Sequence, residues 1–109
     1  MATTLKILGQ SKPSAASLTD LYTVPASTST IINTLIITNQ SATSTTFRIS
    51  LAIAGATDTP AQYIAYDATI LGNDVKVYDI QIALSAADKI RVYNTLATCS
   101  FTASGTEIA

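Results

Sequence analysis

The sequence predicts an all-β chain, a two-sheet antiparallel sandwich of about eight strands, jelly-roll-like or immunoglobulin-like. Three observations predict it. The first is composition: 18 Thr, 13 Ile, 4 Val and seven aromatics make up over a third of the 109 residues, and these side chains fit a pleated, half-buried surface. Helix formers other than Ala and Leu are scarce, with one Met, one Glu, four Lys, two Arg and four Gln. The second is the alternation of Phe47, Ile49, Leu51 and Ile53 with Arg48, Ser50, Ala52 and Ala54, a period of two that no helix produces. The third is spacing: short apolar runs follow one another with turn residues between them, the rhythm of a sandwich. The length allows one domain. Residues 1–17 read as an extended N-terminal segment carrying the first strand, and residues 18–109 as the sandwich.

Leu5 to Gln10 is the first strand, with Leu5 and Ile7 on one face and Lys6 and Leu8 on the other. Gly9 to Ser17 is small and polar around Pro13, an extended connection or arm. Leu21–Val24 is the second strand, closed by Pro25, which has no N–H for a ladder. Thr30–Asn39 is apolar on both faces through Ile31, Ile32, Leu35, Ile36 and Ile37, as in a central strand covered on both sides or one whose outer face meets a partner. Gln40–Ser44 turns the chain into the strand of Phe47, and Gly55–Pro60 is a loop. Gln62–Asp67 is a short strand with Tyr63 and Ala65 opposite to Ile64 and Tyr66. Gly72-Asn73 is a turn dipeptide that tolerates positive φ.

In the run from Val75 to Leu84 the parity changes. Val75 and Val77 are odd, whereas Ile80, Ile82 and Leu84 are even. A bulge near Tyr78-Asp79 would put both sets on the core face; alternatively the strand crosses from one sheet to the other there. Ser85–Asp88 is a tight turn before Lys89–Asn94, where Ile90 and Val92 point inward. Cys99, Phe101 and Ala103 line the inner face of the last strand. An immunoglobulin domain proper has a Cys-Trp-Cys core, and this chain has one Cys and no Trp. The jelly-roll-like Greek key is therefore the preferred order.

Absences exclude several function classes. With no His, neither a Ser-His-Asp triad nor a His-ligated metal site can form. One Cys closes no internal disulfide and builds no thiolate cluster. Six scattered Lys and Arg make no patch for a phosphate backbone, so no nucleic-acid partner is expected. No apolar run has the ~18 residues of a membrane span, and no membrane partner is expected. Met1–Lys6 lacks the layout of a signal peptide, which would make Cys99 the thiol of a protein made in a reducing cytoplasm. Asp58, Asp67, Asp74, Asp79 and Asp88 lie in or beside turns, where Asp bonds to nearby backbone. Cys99 alternates with Phe101 and reads as a small core hydrophobe. The five tyrosines are spread over four strands and read as edge or interface residues rather than as a stacking platform. No enzyme and no cofactor are expected. Charged residues are only 12%, about half the usual share, which fits either a merely neutral domain or one that lives in an assembly.

Gly9-Gln10-Ser11-Lys12-Pro13, then Leu21-Tyr22-Thr23-Val24-Pro25-Ala26-Ser27-Thr28-Ser29, and then an apolar strand ending in Asn, as at Thr30–Asn39, together resemble the opening of the small virion proteins of tailed bacteriophages. Thr46–Ile49, Gln62–Asp67, Asn73-Asp74, Asp88–Tyr93 and the ending Phe101–Ile108 carry the likeness across nearly the whole chain. The resemblance implies a non-enzymatic structural role in the virion. Its most economical form is a capsid decoration or cement protein, made in the host cytoplasm and bound outside the shell of major capsid protein, with copies of itself in a symmetric assembly. A tail, baseplate or fibre-associated adaptor is the alternative, and a host-carbohydrate-binding module the third. The family supplies no set of functional residues. From the residues themselves, the N-terminal segment is the expected contact, through Leu5, Lys6, Ile7, Leu8, Gln10 and Pro13, because an extended segment can add to a neighbour's sheet. An ordinary edge strand followed by a loop is the other reading of that segment.

Overall fold

The computed structural model describes residues 2–109; Met1, part of the expected 1–17 segment, lies outside the described residues. Eight strands form: β1 (Thr3–Ser11), β2 (Thr19–Thr23), β3 (Ser29–Asn39), β4 (Thr45–Ala52), β5 (Tyr63–Ile70), β6 (Val75–Leu84), β7 (Lys89–Asn94) and β8 (Cys99–Ile108). They make two four-stranded antiparallel sheets, with orders β1-β8-β3-β6 and β2-β7-β4-β5. The pairing is nested: β1 with β8, β2 with β7, β3 with β6 and β4 with β5. A long hairpin of four such pairs, rolled up, gives this strand order, the eight-stranded jelly-roll arrangement. In an immunoglobulin domain the first two strands share a sheet; here they lie in different ones.

Inward side chains of both sheets build one core. Ile32, Leu35, Ile37, Phe101 and Ala103 face Phe47, Ile49, Ile90 and Val92, all buried. Phe47 sits at the centre, with the Phe101 ring 6.2 Å away edge-on and the Tyr78 ring at 6.3 Å. Cys99 is buried in the same layer, and burial pushes its thiol pKa upward. Gly9 lets the corner between β1 and β2 close: a Cβ there would stand 2.2 Å from the Leu21 carbonyl oxygen.

Bulges set which residues face in. Asn33 is an extra residue in β3 relative to β8, so Ile32 and Leu35 both point inward despite their spacing. That leaves Ile31 and Ile36 half-buried on the outer side, between neighbouring strands. In β6 the expected parity switch does not occur. Ile82, Tyr78 and Lys76 pair with Ile32, Leu35 and Ile37, so the even residues face in throughout and Val75 and Val77 lie on the outer face, about half exposed. The two residues Ile80 and Gln81 stand opposite the single Asn33, which preserves β6 parity while β3 shifts.

The alternation in β4 also ends early. Phe47 and Ile49 are buried and Leu51 packs against the core, but Ile53 opens a short 3-10 turn, Ile53–Gly55, and is 79% exposed. Instead Ser50 and Ala52, on the other face, are buried as well. The loop after β4 folds back over them: the Arg91 guanidinium donates to the Ala56 carbonyl at 2.7 Å and the Gly55 carbonyl at 3.1 Å. The expected turns are present, with Asn73 at φ 53° and Ala87 at φ 72°. The Asp88 carboxylate ties the second one down, accepting from the Ser85 and Ala54 amides at 2.8 Å each.

Two buried asparagines knit the loops at one end of the sandwich. Asn39 Nδ2 donates to the carbonyls of Thr43 and Leu71, and its Oδ1 accepts from the Ser41 amide. Asn94 Nδ2 donates to the Pro13 carbonyl at 3.3 Å while its Oδ1 accepts from the Thr98 and Cys99 amides. Four connections are thereby fixed through two side chains that hydrophobic patterning does not single out.

Candidate functional site

The N-terminal segment is an integral strand of its sheet. β1 pairs along its length with β8, and Ala2 and Ala109 exchange backbone hydrogen bonds of 2.8 and 2.9 Å. One edge of β1 stays free, interrupted by a bulge at Leu8, between Ile7 and Gly9. Of the six expected contact residues, Leu5 and Ile7 are 78% and 57% exposed, and Gln10 is exposed beside them on the outer face. The others are engaged elsewhere. Leu8 packs against the core and Pro13 is buried, its carbonyl bonded to Asn94. Lys6 faces the other way and pairs with Glu107 at 3.3 Å. The same Glu107 accepts a hydrogen bond from the Tyr22 hydroxyl, which also contacts Thr30 Oγ1 at 2.9 Å. Burial and the neighbouring carboxylate push Tyr22 up to about 12, and the Tyr22 and Lys6 donors hold Glu107 below its ordinary value.

Leu5 and Ile7 belong to a broader surface, the outer face of the β1-β8-β3-β6 sheet. Its cross-strand rows read Leu5–Thr106–Ile31–Ala83, Ile7–Ser104–Thr34–Asp79 and Gln10–Thr102–Ile36–Val77. Asp79 is the one charge in these rows, and it accepts from Thr34 Oγ1 at 3.3 Å. Apart from Asp79 these rows hold only aliphatic side chains, hydroxyls and one amide, so covering them desolvates a single charge.

The opposite outer face, on the β2-β7-β4-β5 sheet, has a different chemistry. Asp20 bridges Lys89 at 3.0 Å and Arg91 at 3.3 Å, and the Lys89 hydrogen bond holds the Asp20 carboxyl below its ordinary value. Beside that network Arg48 is clamped. Its Nε and Nη2 donate to the two Asp67 oxygens at 2.7 and 3.3 Å. Its guanidinium carbon lies 4.3 Å from the Tyr66 ring centroid and 4.4 Å from that of Tyr93. Tyr63 meets Tyr66 edge to face at 5.0 Å and donates its hydroxyl to Asp58 at 2.7 Å. Three tyrosines expected to be dispersed are therefore gathered on one face. Strand pairing accounts for Tyr93, which lies opposite Arg48. Two register shifts in β5 account for the rest, bringing Tyr63, Tyr66 and Asp67 over β4, with Asp67 at φ 50°. The expectation that Tyr63 and Tyr66 point to opposite faces is corrected by the same shifts. Tyr22 and Tyr78 instead serve the interior.

Between the free edges of β5 and β6 the sandwich is open. An apolar groove of about 190 Å³ is lined by Ile49, Ile64, Ala65, Tyr78, Ile80 and Ile82. Lys76 faces inward on the edge strand β6, a charge placed where it discourages edge-to-edge pairing. Among the described residues, no three His, Cys, Asp or Glu side chains gather as a metal site, and no helix is long and apolar enough to cross a membrane. No protein-family model matches the sequence, and no curated protein matches it.

Proposed function

We propose that this chain is a non-enzymatic structural protein of a tailed-phage particle, a decoration or cement protein seated on the outside of the major capsid protein shell. The observation that carries the reading is the unequal division of charge between the two outer faces. The β1-β8-β3-β6 face is nearly uncharged and bears the exposed Leu5, Ile7, Val75 and Val77, while the ion pairs of Asp20, Arg48, Asp67, Lys89 and Arg91 occupy the other side. Depletion of charge from the centre of a patch is the compositional mark of an interface. The resemblance of strand and turn motifs to small phage virion proteins supplies the partner. The jelly roll by itself supplies none, because one fold hosts many functions. Repetition over a closed shell multiplies weak contacts, so a modest patch per copy suffices.

The test is the copy number of this chain in purified particles relative to the major capsid protein. A ratio near one, or a simple fraction of one, is expected. A handful of copies per particle overturns the decoration reading and moves the protein to the tail or neck. Ile7→Lys and Val77→Lys should empty the particle of this protein while leaving its circular dichroism spectrum unchanged. Full occupancy by both folded variants would remove the face from the interface.

A further inference from the structure

We propose that the Arg48–tyrosine cluster on the β2-β7-β4-β5 face is a binding site for a neutral saccharide. The inference does not rest on the virion reading. Tyr66 is 60% exposed, although its ring already packs on Arg48 and against Tyr63. The half-buried Tyr63 and Tyr93 rings beside it make this a clustered aromatic surface rather than one exposed side chain, and the clustering is the feature to be explained. The site is built rather than accidental. The Asp67 fork fixes the guanidinium, the guanidinium fixes the Tyr66 and Tyr93 rings, and Asp58 fixes the Tyr63 hydroxyl. Rings held in place lose little further conformational entropy when a ligand lies on them, and tyrosine offers broad contact area with few torsions.

The ligand must satisfy two demands at once. One is an apolar C–H face for the exposed ring. The other is a set of hydroxyls that donate to the remaining lone pairs of Asp58 and Asp67 and accept from the Arg48 N–H groups not used by Asp67. A pyranose has both, with its C–H bonds on one face and its hydroxyls around the rim. Charge narrows the class. The cations of this face are already paired, Arg48 with Asp67 and both Lys89 and Arg91 with Asp20, and Asp58 balances the remaining positive charge. An acidic sugar, a nucleotide or an anionic lipid headgroup therefore finds no unpaired cation there, whereas a neutral sugar needs none.

The experiment is a titration of the full-length, isotopically labelled chain with the neutral probes maltohexaose, cellohexaose and mannohexaose, each to about 10 mM, which populates even a millimolar site. The acidic comparator is hexagalacturonate. At least one neutral probe should shift the Arg48 side-chain Nε–H resonance and the Tyr66 and Tyr93 amides, and hexagalacturonate should shift them less. Tyr66→Ala should weaken binding about tenfold or more, a loss of about 1.4 kcal/mol, and Tyr66→Phe should retain it. The amide spectrum away from β5 reports that both variants fold. The proposal is overturned if no neutral probe moves these resonances, if hexagalacturonate binds better, or if folded Tyr66→Ala binds as well as the parent. It also fails if Tyr66→Ala leaves saccharide binding intact but strips the protein from particles, because the cluster would then be a protein contact.

Discussion

Replacing Ile49 and Ile53 one at a time by Ala separates two accounts of β4. By alternation alone the two residues are equivalent, both on the face of Phe47. By packing they differ: Ile49 is 1% exposed and Ile53 79%. Ile→Ala removes three carbons, which at about 0.8 kcal/mol per buried methylene is roughly 2.4 kcal/mol of transfer energy before any cavity term. Cavity costs carry such substitutions to about 2–5 kcal/mol. Ile49 lines the open groove between β5 and β6, so neighbours or water can fill the space, and the lower half of that range applies, about 2–3 kcal/mol. Ile53→Ala should stay within about 0.5 kcal/mol of the parent, as exposed substitutions do. Urea unfolding followed by tyrosine fluorescence reads both. With a slope of about 1–3 kcal/mol/M, Ile49→Ala should lower the midpoint by roughly 0.7–3 M, and Ile53→Ala should barely move it. Equal losses for the two variants would refute the reasoning, because β4 would then run uninterrupted through Ile53.

Three further outcomes follow from single groups. Asn94→Ala strands the Thr98 amide and, fully buried, the Cys99 amide and the Pro13 carbonyl; at about 1–3 kcal/mol for each of the two buried orphans, chemical denaturation should show a loss of about 2–6 kcal/mol, and a loss below about 1 would mean that water replaces the side chain. Tyr22 holds its proton up to about 12 in the folded state against 10.0 ordinarily. Its contribution is therefore intact below pH 10 and is lost as pH rises from about 10 to about 12. A pH series of melting temperatures should fall across that window, and Tyr22→Phe should flatten the fall; an equal fall in the variant would assign it to other groups. Cys99, buried and with its thiol pKa raised, should react with a disulfide reagent only after denaturant is added, and rapid labelling of the native chain would contradict its burial.

Local patterning revealed what depends on periodicity within one strand. Leu5 and Ile7 against Lys6 and Leu8, Ile90 with Val92, and Cys99 with Phe101 and Ala103 all lie on the faces their spacing implies. Nested pairing was not legible, because any antiparallel order of these strands keeps the same faces. Patterning misled at Val75 and Val77. Valine on an outer face looks the same in sequence as valine in a core, and one-sided exposure is decided by what covers the sheet. The Arg48 cluster stayed hidden for a third reason. Asp67 takes positive φ without a Gly or Asn to announce it, and that shift, with a second in β5, carries Tyr63 and Tyr66 to the same side of the sheet. Asp does tolerate the left-handed region better than most residues. A Tyr-x-x-Tyr-Asp segment opposite an outward Arg was the available signal, and it becomes one only once β5 is known to pair with β4.

The two outer faces lie back to back across a molecule whose shortest dimension is 19 Å, and this arrangement ties the two proposals together without making either depend on the other. If the Leu5–Ile7–Val77 face seats on a shell, the Arg48–tyrosine face necessarily points away from it, into the surrounding medium. Substitutions on opposite faces share no side-chain partner, and sites so separated act additively. Ile7→Lys should therefore remove the protein from particles while leaving the saccharide titration unchanged, and Tyr66→Ala should do the reverse. A folded Ile7→Lys variant that also lost saccharide binding would mean that the faces communicate through the core. Such coupling would require a second arrangement of the sheets. The tight approach of β1 to β2 at Gly9 argues against one, since the backbones there already stand too close to admit a methyl group.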